Sequence, residues 1–513
     1  MGTISRRLRT WSGTDELRLL VLALANAVCW LVLYRWYGLI EHRDDTHYAF
    51  EKVPGWFDSP QLRRTTLFLF LISLIYLAGY RIVSSAAILR PRLKLVSAML
   101  IAAPIIANVL LYPVGALDVF NYMVELKLTY HYDQNPYLVT FSAHRDDPFA
   151  MPAFLVDIPL FYGPAWLLLS WVPVAIAGMD DVVRTLVALK IFNAMMLGAT
   201  AWMIGVYQQD TRRRWIVGGL FLANPLVLFE GIGNAHNDVM MTCLMVAALL
   251  ALQRRSPLAG PLLALSALVK LYSVALLPLF IVAVLAARWG WRRSALSVAL
   301  TAATVALTCL PFWNGGDMVQ GLRTGLERSQ HYDHVSPYSL AQQYEQERIA
   351  ERSPIAGRIR ERPSSEIVPE STQTSLRNGF ALTFAGLGCL LAWGVRRGRP
   401  VESAAVATLL LFLLLLTNLY PWYLIPVFAL ITLRLDRAGV AYLFTATGLG
   451  LLYYPMYVYG HFNTPWTRLH THLFLAVFLT LPMVLLLVVR LGAPMACPGG
   501  CRIVMPPRLR RAV

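Results

Sequence analysis

Charge is the scarcest property of this chain. Only 14% of its 513 residues are Asp, Glu, Lys or Arg, where a soluble domain carries about a quarter. Acids are rarer than bases, 29 against 45, which leaves a formal net charge of +16. That excess does not mark a nucleic-acid binder. The cations cluster in short loops between apolar runs, the positive-inside pattern that orients membrane helices. Neither a Walker motif nor a GxGxxG turn is present, so nothing points to ATP or a dinucleotide. Cysteine is also sparse. Cys29, Cys243, Cys309 and Cys389 fall inside apolar runs and read as small hydrophobes. Cys497 and Cys501, in "CPGGC", form a pair with no second pair beside it to complete a metal site.

What the chain has in quantity is apolar length. Hydrophobic residues make up 57%, and runs approaching the ~20 residues that span a bilayer recur from end to end. The fold class expected is an all-α polytopic membrane protein of about 14 membrane segments, several of them short and paired. The basic start, "MGTISRRLRTW", precedes an apolar run at about 19–40 without a small-residue cleavage site, which reads as a retained first helix. With that end cytoplasmic, apolar runs and basic loops alternate so that both termini lie inside, and 491–513 forms a basic cytoplasmic tail. Two long polar stretches, 114–183 and 313–375, fall outside. The proline-broken "YGPAWLLLSWVPVAIAG" (162–178) is placed in the outer interface, because a full crossing there would put "QQDTRRRW" (208–215) on the wrong side. Runs at 216–229, 239–252, 258–269 and 272–287 are too short to cross alone. Such halves meet at membrane depth beside a cavity, where polar groups are tolerated.

Four constellations carry candidate chemistry. In "GALDVFNYMVELKLTYHYDQNPY" (115–137), Asp118, Tyr122 and Glu125 share one helical face in an interface-hugging amphipathic helix. They are either ordinary loop charges or a site in which a partly desolvated Asp118 serves as general base. In "GIGNAHNDVM" (231–240), His236, Asn237 and Asp238 follow Glu230 at a break between apolar segments, lining a wet cavity. Titratable groups in such a break are functional by default, although Asp238 or Asn237 could equally cap the next helix. Lys270, alone in "ALVKLYSVALLP", either snorkels to the interface or binds a phosphate there. "ERSQHYDHVSPYSL" (327–340) offers His331 and His334 around Asp333, a weak zinc pattern, and its aromatic and Arg residues fit sugar stacking and phosphate pairing better. "YPWYLIP" (420–426) reads as an aromatic belt element with an alternative role in lipid contact.

Taken in order, "DVFNY", "QNPY", "YGPAWLLLS", "HND" and "LVKLYSVALLPL" resemble the GT-C superfamily of membrane glycosyltransferases, over roughly 115–290. They most resemble bacterial polyprenyl-phosphate-mannose-dependent α-mannosyltransferases. The resemblance implies one GT-C-like transmembrane domain over 1–513, with interfacial helices in the outer catalytic loop 114–183. It implies an inverting enzyme that moves a sugar, mannose on the resemblance alone, from a polyprenyl-phosphate donor to a glycan, glycolipid or protein acceptor. The site would face outward from the plasma (inner) membrane among its lipids, with no nucleic-acid partner. Asp118 would be the base. Tyr122, Glu125, Asn135, Tyr137, Tyr162, His236, Asn237, Asp238, Lys270, His331 and His334 would contact substrate, Lys270 neutralising the departing phosphate. A divalent cation, Mg or Mn, is left open, with Asp118 and Asp238 as its ligands if one binds. Two apolar helices precede the segment leading to the acidic loop where many superfamily members have one, and 313–375 holds no obvious soluble domain. The rival reading is a lipid-linked-sugar flippase or secondary transporter, since transporters also place charges in broken helices. No internal repeat supports it, and the polar groups gather on one side.

Overall fold

A computed structural model describes residues 13–44, 60–86, 90–329, 335–416, 418–462 and 468–492. His331, His334 and the Cys497–Cys501 pair lie outside the described residues. Among the described residues the chain is helical throughout, with a single antiparallel bridge between Gly38 and Leu111. In chain order the first half holds α1 (Gly13–Tyr37), α2 (Pro60–Ser85), α3 (Pro91–Leu110), α4 (Asp118–Tyr130), α5 (Pro164–Ala177), α6 (Val182–Tyr207), α7 (Thr211–Leu222), α8 (Pro225–Leu228), α9 (Asp238–Gln253) and α10 (Ala259–Val269). It continues with α11 (Leu277–Ala286), α12 (Trp291–Cys309), α13 (Asp317–Ser329), α14 (Pro337–Glu351), α15 (Ala356–Glu361) and α16 (Ser364–Ile367). The chain closes with α17 (Glu370–Arg396), α18 (Val401–Leu414), α19 (Leu424–Leu433), α20 (Arg437–Phe462) and α21 (Arg468–Gly492).

Seven of the described helices are long and apolar enough to cross a membrane, or eight if the α7–α8 pair is one bent span. This is a membrane protein. Helix starts follow local chemistry. Asp181 and Asp210 accept backbone N–H bonds at the heads of α6 and α7, and prolines open α3 and α5 where no N–H is needed. The outward faces of the long spans are apolar. On α12, for example, Val298 and Leu307 are each 69% exposed, as a lipid-facing surface requires.

The interior is built from the short apolar helices. α9 (16 residues), α18 (14) and α19 (10) are buried almost from end to end. At 1.5 Å per residue the longest of them reaches about 24 Å, short of a ~30 Å hydrocarbon core. The expected half-length segments are therefore present, packed inside a shell of longer helices.

Two breaks interrupt this interior. At Asn224–Pro225 the chain bends by 53°. Proline cannot continue the α7 ladder, and the Asn224 side chain accepts from Leu226 N (2.9 Å) and Val227 N (3.2 Å) to restart it. One π-helical turn (Phe229–Gly233) follows, then Ala235 in the left-handed region at φ 56°. Such features persist only where surrounding contacts over-determine them, and they cluster at functional sites.

Candidate functional site

Three polar side chains hold the break at 230–238. Asn193 of α6 donates to the carbonyls of Gly231 (2.9 Å) and His236 (3.1 Å). Asn234 donates to Glu230 Oε2 (2.8 Å) and accepts from Gly115 N (3.1 Å), which ties the break to the turn that leads into α4. Tyr454 of α20 donates to Glu230 Oε2 at 3.4 Å. Gly115 is required here, since a Cβ would fall 2.6 Å from Asn234 Nδ2.

His236 is fully buried. Its ring stacks on Trp422 with centroids 4.1 Å apart, and its Nε2 is 3.4 Å from Glu230 Oε2. That approach is a close contact without hydrogen-bond geometry, because neither ring nitrogen has a hydrogen-bond partner among the described residues.

Asp238 opens α9, yet neither it nor Asn237 caps that helix. Its carboxylate instead accepts from Lys270 Nζ at 2.7 Å and from the Tyr272 hydroxyl. The capping alternative is thus overturned by a stronger competitor, a buried ammonium. Lys270 does not snorkel. Its side chain is 11% exposed, and its ammonium lies 4.9 Å from the Tyr423 ring centre, 5.7 Å from Tyr162 and 5.8 Å from Tyr272. A carboxylate and three aromatic faces hold this cation in place.

The first long loop reaches this cluster by a close backbone approach. Gly163 N donates to Val269 O (3.4 Å), and a Cβ on Gly163 would lie 2.0 Å from Leu268 O. Only glycine lets "YGP" lie against "LVK", which is what brings Tyr162 to Lys270. Tyr122 packs edge-on against Tyr162 (5.2 Å), and its hydroxyl is 3.5 Å from Asn237 Oδ1. Asp118 stands at the head of α4, within electrostatic range of both Lys270 and Asp238. Burial pushes its carboxyl up to about 6, with Lys270 opposing and Asp238 adding to the rise. Burial also drives Glu125 well above the usual carboxylate range, and Asp118 reinforces it.

α4 departs from the expected interfacial amphipathic helix. Every residue from Val119 to Leu128 is buried. On the side meant for water Tyr122 packs on Tyr162 and Trp166. The loop 131–160 covers another side, where Asn121 accepts from Phe154 N and Leu155 N (both 3.0 Å), and α13 crosses that loop so closely that a Cβ on Gly321 would meet Tyr137 O at 1.9 Å. The loop is fastened by Lys127, which pairs with Asp147 at 2.7 Å and lies 4.1 Å from the Phe149 ring. The cluster is likewise enclosed, where the sequence suggested an open wet cavity: Glu230, His236 and Asp238 are all at 0% exposure. A water-sized cavity of about 10 Å³ lies elsewhere, beside the α7–α8 bend, and is too small for a sugar.

The structure therefore brings together Asp118, Tyr122, Tyr162, His236, Asn237, Asp238 and Lys270, with Glu125 one turn further along α4. Asn135 and Tyr137 are engaged by the chain itself: Asn135 donates to Phe312 O (2.9 Å) and Tyr137 to Tyr162 O (2.8 Å). Sequence reasoning missed Tyr272, Tyr423, Asn234 and Lys190. The last is a fully buried lysine that donates to Asn108 O (3.3 Å) and to Leu111 O at the end of α3. Tyr272, two residues beyond Lys270, was within reach of the motif.

Residues 8–288 match the MptA_B family, described as alpha-(1->6)-mannopyranosyltransferase, N-terminal domain. The chain belongs to this family. Neither a curated protein nor a solved structure matches it. As a mannosyltransferase it uses a sugar donor and a glycan acceptor. Each stretch of the resemblance from "DVFNY" to the "LVKLYSV" of the lysine segment lies inside the matched region. Both oxygens of Asp238 already accept from Lys270 and Tyr272, and among the described residues no three His, Cys, Asp or Glu side chains converge as ligands.

Proposed function

We propose that the chain transfers mannose from a polyprenyl-phosphate donor to a glycan acceptor at the outer face of the plasma membrane. Both termini are then cytoplasmic, and about 14 membrane segments form a single GT-C-like domain. The observation that carries this reading is Lys270, an ammonium fixed by Asp238 and three aromatic rings beside a carboxylate that burial has made basic. Asp118 takes the proton from the acceptor hydroxyl as that oxygen attacks the anomeric carbon. The bond from that carbon to the donor phosphate breaks, and its electron pair leaves with the phosphate oxygen, whose charge Lys270 neutralises. Attack opposite the leaving group inverts the anomeric centre. Asn193, Asn234 and Glu230 hold the break that aims Asp238, His236 and Asn237 lie within it facing Trp422 and Tyr122, and Tyr122 and Tyr162 wall the reacting end.

Transfer from polyprenyl-phosphate-mannose to a short α-mannan, by the protein reconstituted in lipid, tests this. Asp118→Asn should lower kcat by about 10²–10⁴-fold with donor binding kept, and parallel assays with and without a chelator decide whether a divalent cation takes part. Absence of wild-type transfer from this donor, with labelled lipid crossing the bilayer instead, would establish the flippase.

A further inference from the structure

α3 ends where the chain turns toward α4, and it ends without a left-handed cap. Leu111, the residue after it, is extended (φ −81°, ψ 139°), so the backbone does not fold back on the last carbonyls of the helix. Lys190 of α6 serves them instead. Its side chain is wholly buried, and the partners of its ammonium among the described residues are two carbonyls, Asn108 O (3.3 Å) and Leu111 O. An ammonium buried without a carboxylate is costly. The partial negative charge at a helix C-terminus offsets part of that cost. A cation kept at such expense among apolar helices has a task to perform.

The turn that Lys190 grips leads directly to Asp118. Its other edge is pinned to the end of α1, where Leu39 N donates to Leu110 O (2.9 Å) and Tyr112 N to Tyr37 O (2.8 Å). The Tyr112 ring lies 5.8 Å from that of Phe120, two residues beyond Asp118 on α4. Every residue from Leu111 to Leu117 is buried, so a shift at Leu111 is passed on to Asp118. Lys190 and Asn193 stand three positions apart on α6 and share one face. Asn193 holds the carbonyls of Gly231 and His236, on the way to Asp238. The two anchored segments also touch, since a Cβ on Gly233 would fall 2.7 Å from Asn108 Oδ1. One face of α6 thus grips both the segment that carries Asp118 and the segment that carries Asp238.

We propose that Lys190 is a positioning residue for the transfer: by gripping the end of α3 it sets where Asp118 stands relative to Asp238 and Lys270, with Asn193 as the matching anchor for the break. It works through place rather than charge, because the charges that bear on Asp118 are those of Lys270 and Asp238. The proposal rests on the reading of Asp118 as the base.

Hydrogen exchange of the full chain in lipid nanodiscs, without substrate, reads the clamp apart from the reaction. In Lys190→Met the amides of 112–120 should exchange at least about tenfold faster, while those of 239–252 keep their protection. In the transfer assay kcat should fall about 10–100-fold, with binding of polyprenyl phosphate within about twofold. The acid limb of kcat/KM should move down, because burial is the largest cause of the raised Asp118 carboxyl and a loosened Asp118 meets more water. Lys190→Gln, whose amide still donates to one carbonyl, should recover part of each change, and it carries the same readings should Lys190→Met not fold. Unchanged exchange at 112–120 would overturn the clamp. A common fall in kcat and polyprenyl-phosphate binding would overturn the positioning role, as would a limb that moves up, the sign expected when a nearby cation is removed. A wild type without transfer would sink the reading of Asp118 as base, and the exchange measurement would still decide the clamp.

Discussion

The raised carboxyl of Asp118 sets where transfer should fail in acid. A general base works only when ionised, so kcat/KM rises with pH through the pKa of that base in the free enzyme. Burial has moved this group from 3.8 to about 6, a bias of about 3 kcal/mol against its charged form at 1.36 kcal/mol per pKa unit. With the acid limb near 6, about a tenth of the enzyme is ionised at pH 5, and kcat/KM should be about tenfold below its plateau. Lys270 opposes the rise, so Lys270→Gln should carry the limb upward by about one pH unit, a nearby cation being worth one to three. Asp238 contributes to the rise, so Asp238→Asn should move the limb down. Both variants lower the plateau, but the limb is read relative to each plateau. Initial rates of mannose transfer from pH 4.5 to 8.5, with donor and acceptor below their KM values, give it directly. A limb in the ordinary aspartate range, or one that moves down in Lys270→Gln, would refute the assignment of Asp118.

Gly163→Ala should be among the most damaging small substitutions, because its Cβ would collide with Leu268 O at 2.0 Å and drive Tyr162 from Lys270. We expect transfer to drop at least about tenfold, with binding of polyprenyl phosphate weakened in the same titration. Lys127→Met leaves the partly buried Asp147 without its ion pair, a loss of about 1–3 kcal/mol because the Phe149 N–H and Tyr132 hydroxyl still donate to it, and should make the 131–160 loop sensitive to protease. Burial raises the Asp147 carboxyl, but Lys127, the Phe149 N–H and the Tyr132 hydroxyl together hold it below the usual range. That stability is present above the ordinary aspartate pKa and is lost as pH falls through the lowered one, so wild-type loop protection should fade only in strong acid. Ala235→Val should destabilise the protein by about 1–2 kcal/mol, since a branched Cβ suits φ 56° poorly. Ala235→Gly should leave thermal stability nearly unchanged, because relief of strain offsets the greater freedom of the unfolded chain.

Much of the fold was legible because the bilayer forces it. Each apolar run had to become a helix, and the shortness of 239–252 and 258–269 already excluded simple crossings. The same logic flagged His236, Asp238 and Lys270, as charges in such places need a reason. What the sequence hid were the partners. Lys270 and Asp238 are 32 positions apart, and Lys190 reaches carbonyls 79 and 82 positions back. No local pattern encodes these pairings, which follow from how the short helices stack. The reading of α4 failed for a related reason: its polar spacing matched a wet face, but Tyr162, Trp166 and Asn237 pack against Tyr122 on that face. The capping expectation at Asp238 failed because a helix start satisfies its amides weakly, whereas the Lys270 ammonium pairs with this carboxylate at 2.7 Å. The break at 230–238 shows both sides of this. Its polarity was visible in the sequence, whereas the π turn and the left-handed Ala235 were not, since alanine carries no signal for positive φ. Asn193, Asn234 and Glu230 hold that geometry, and it fixes the angle at which Asp238 meets Lys270. The polar residues with no reacting partner of their own are thus what keep the reacting ones aimed.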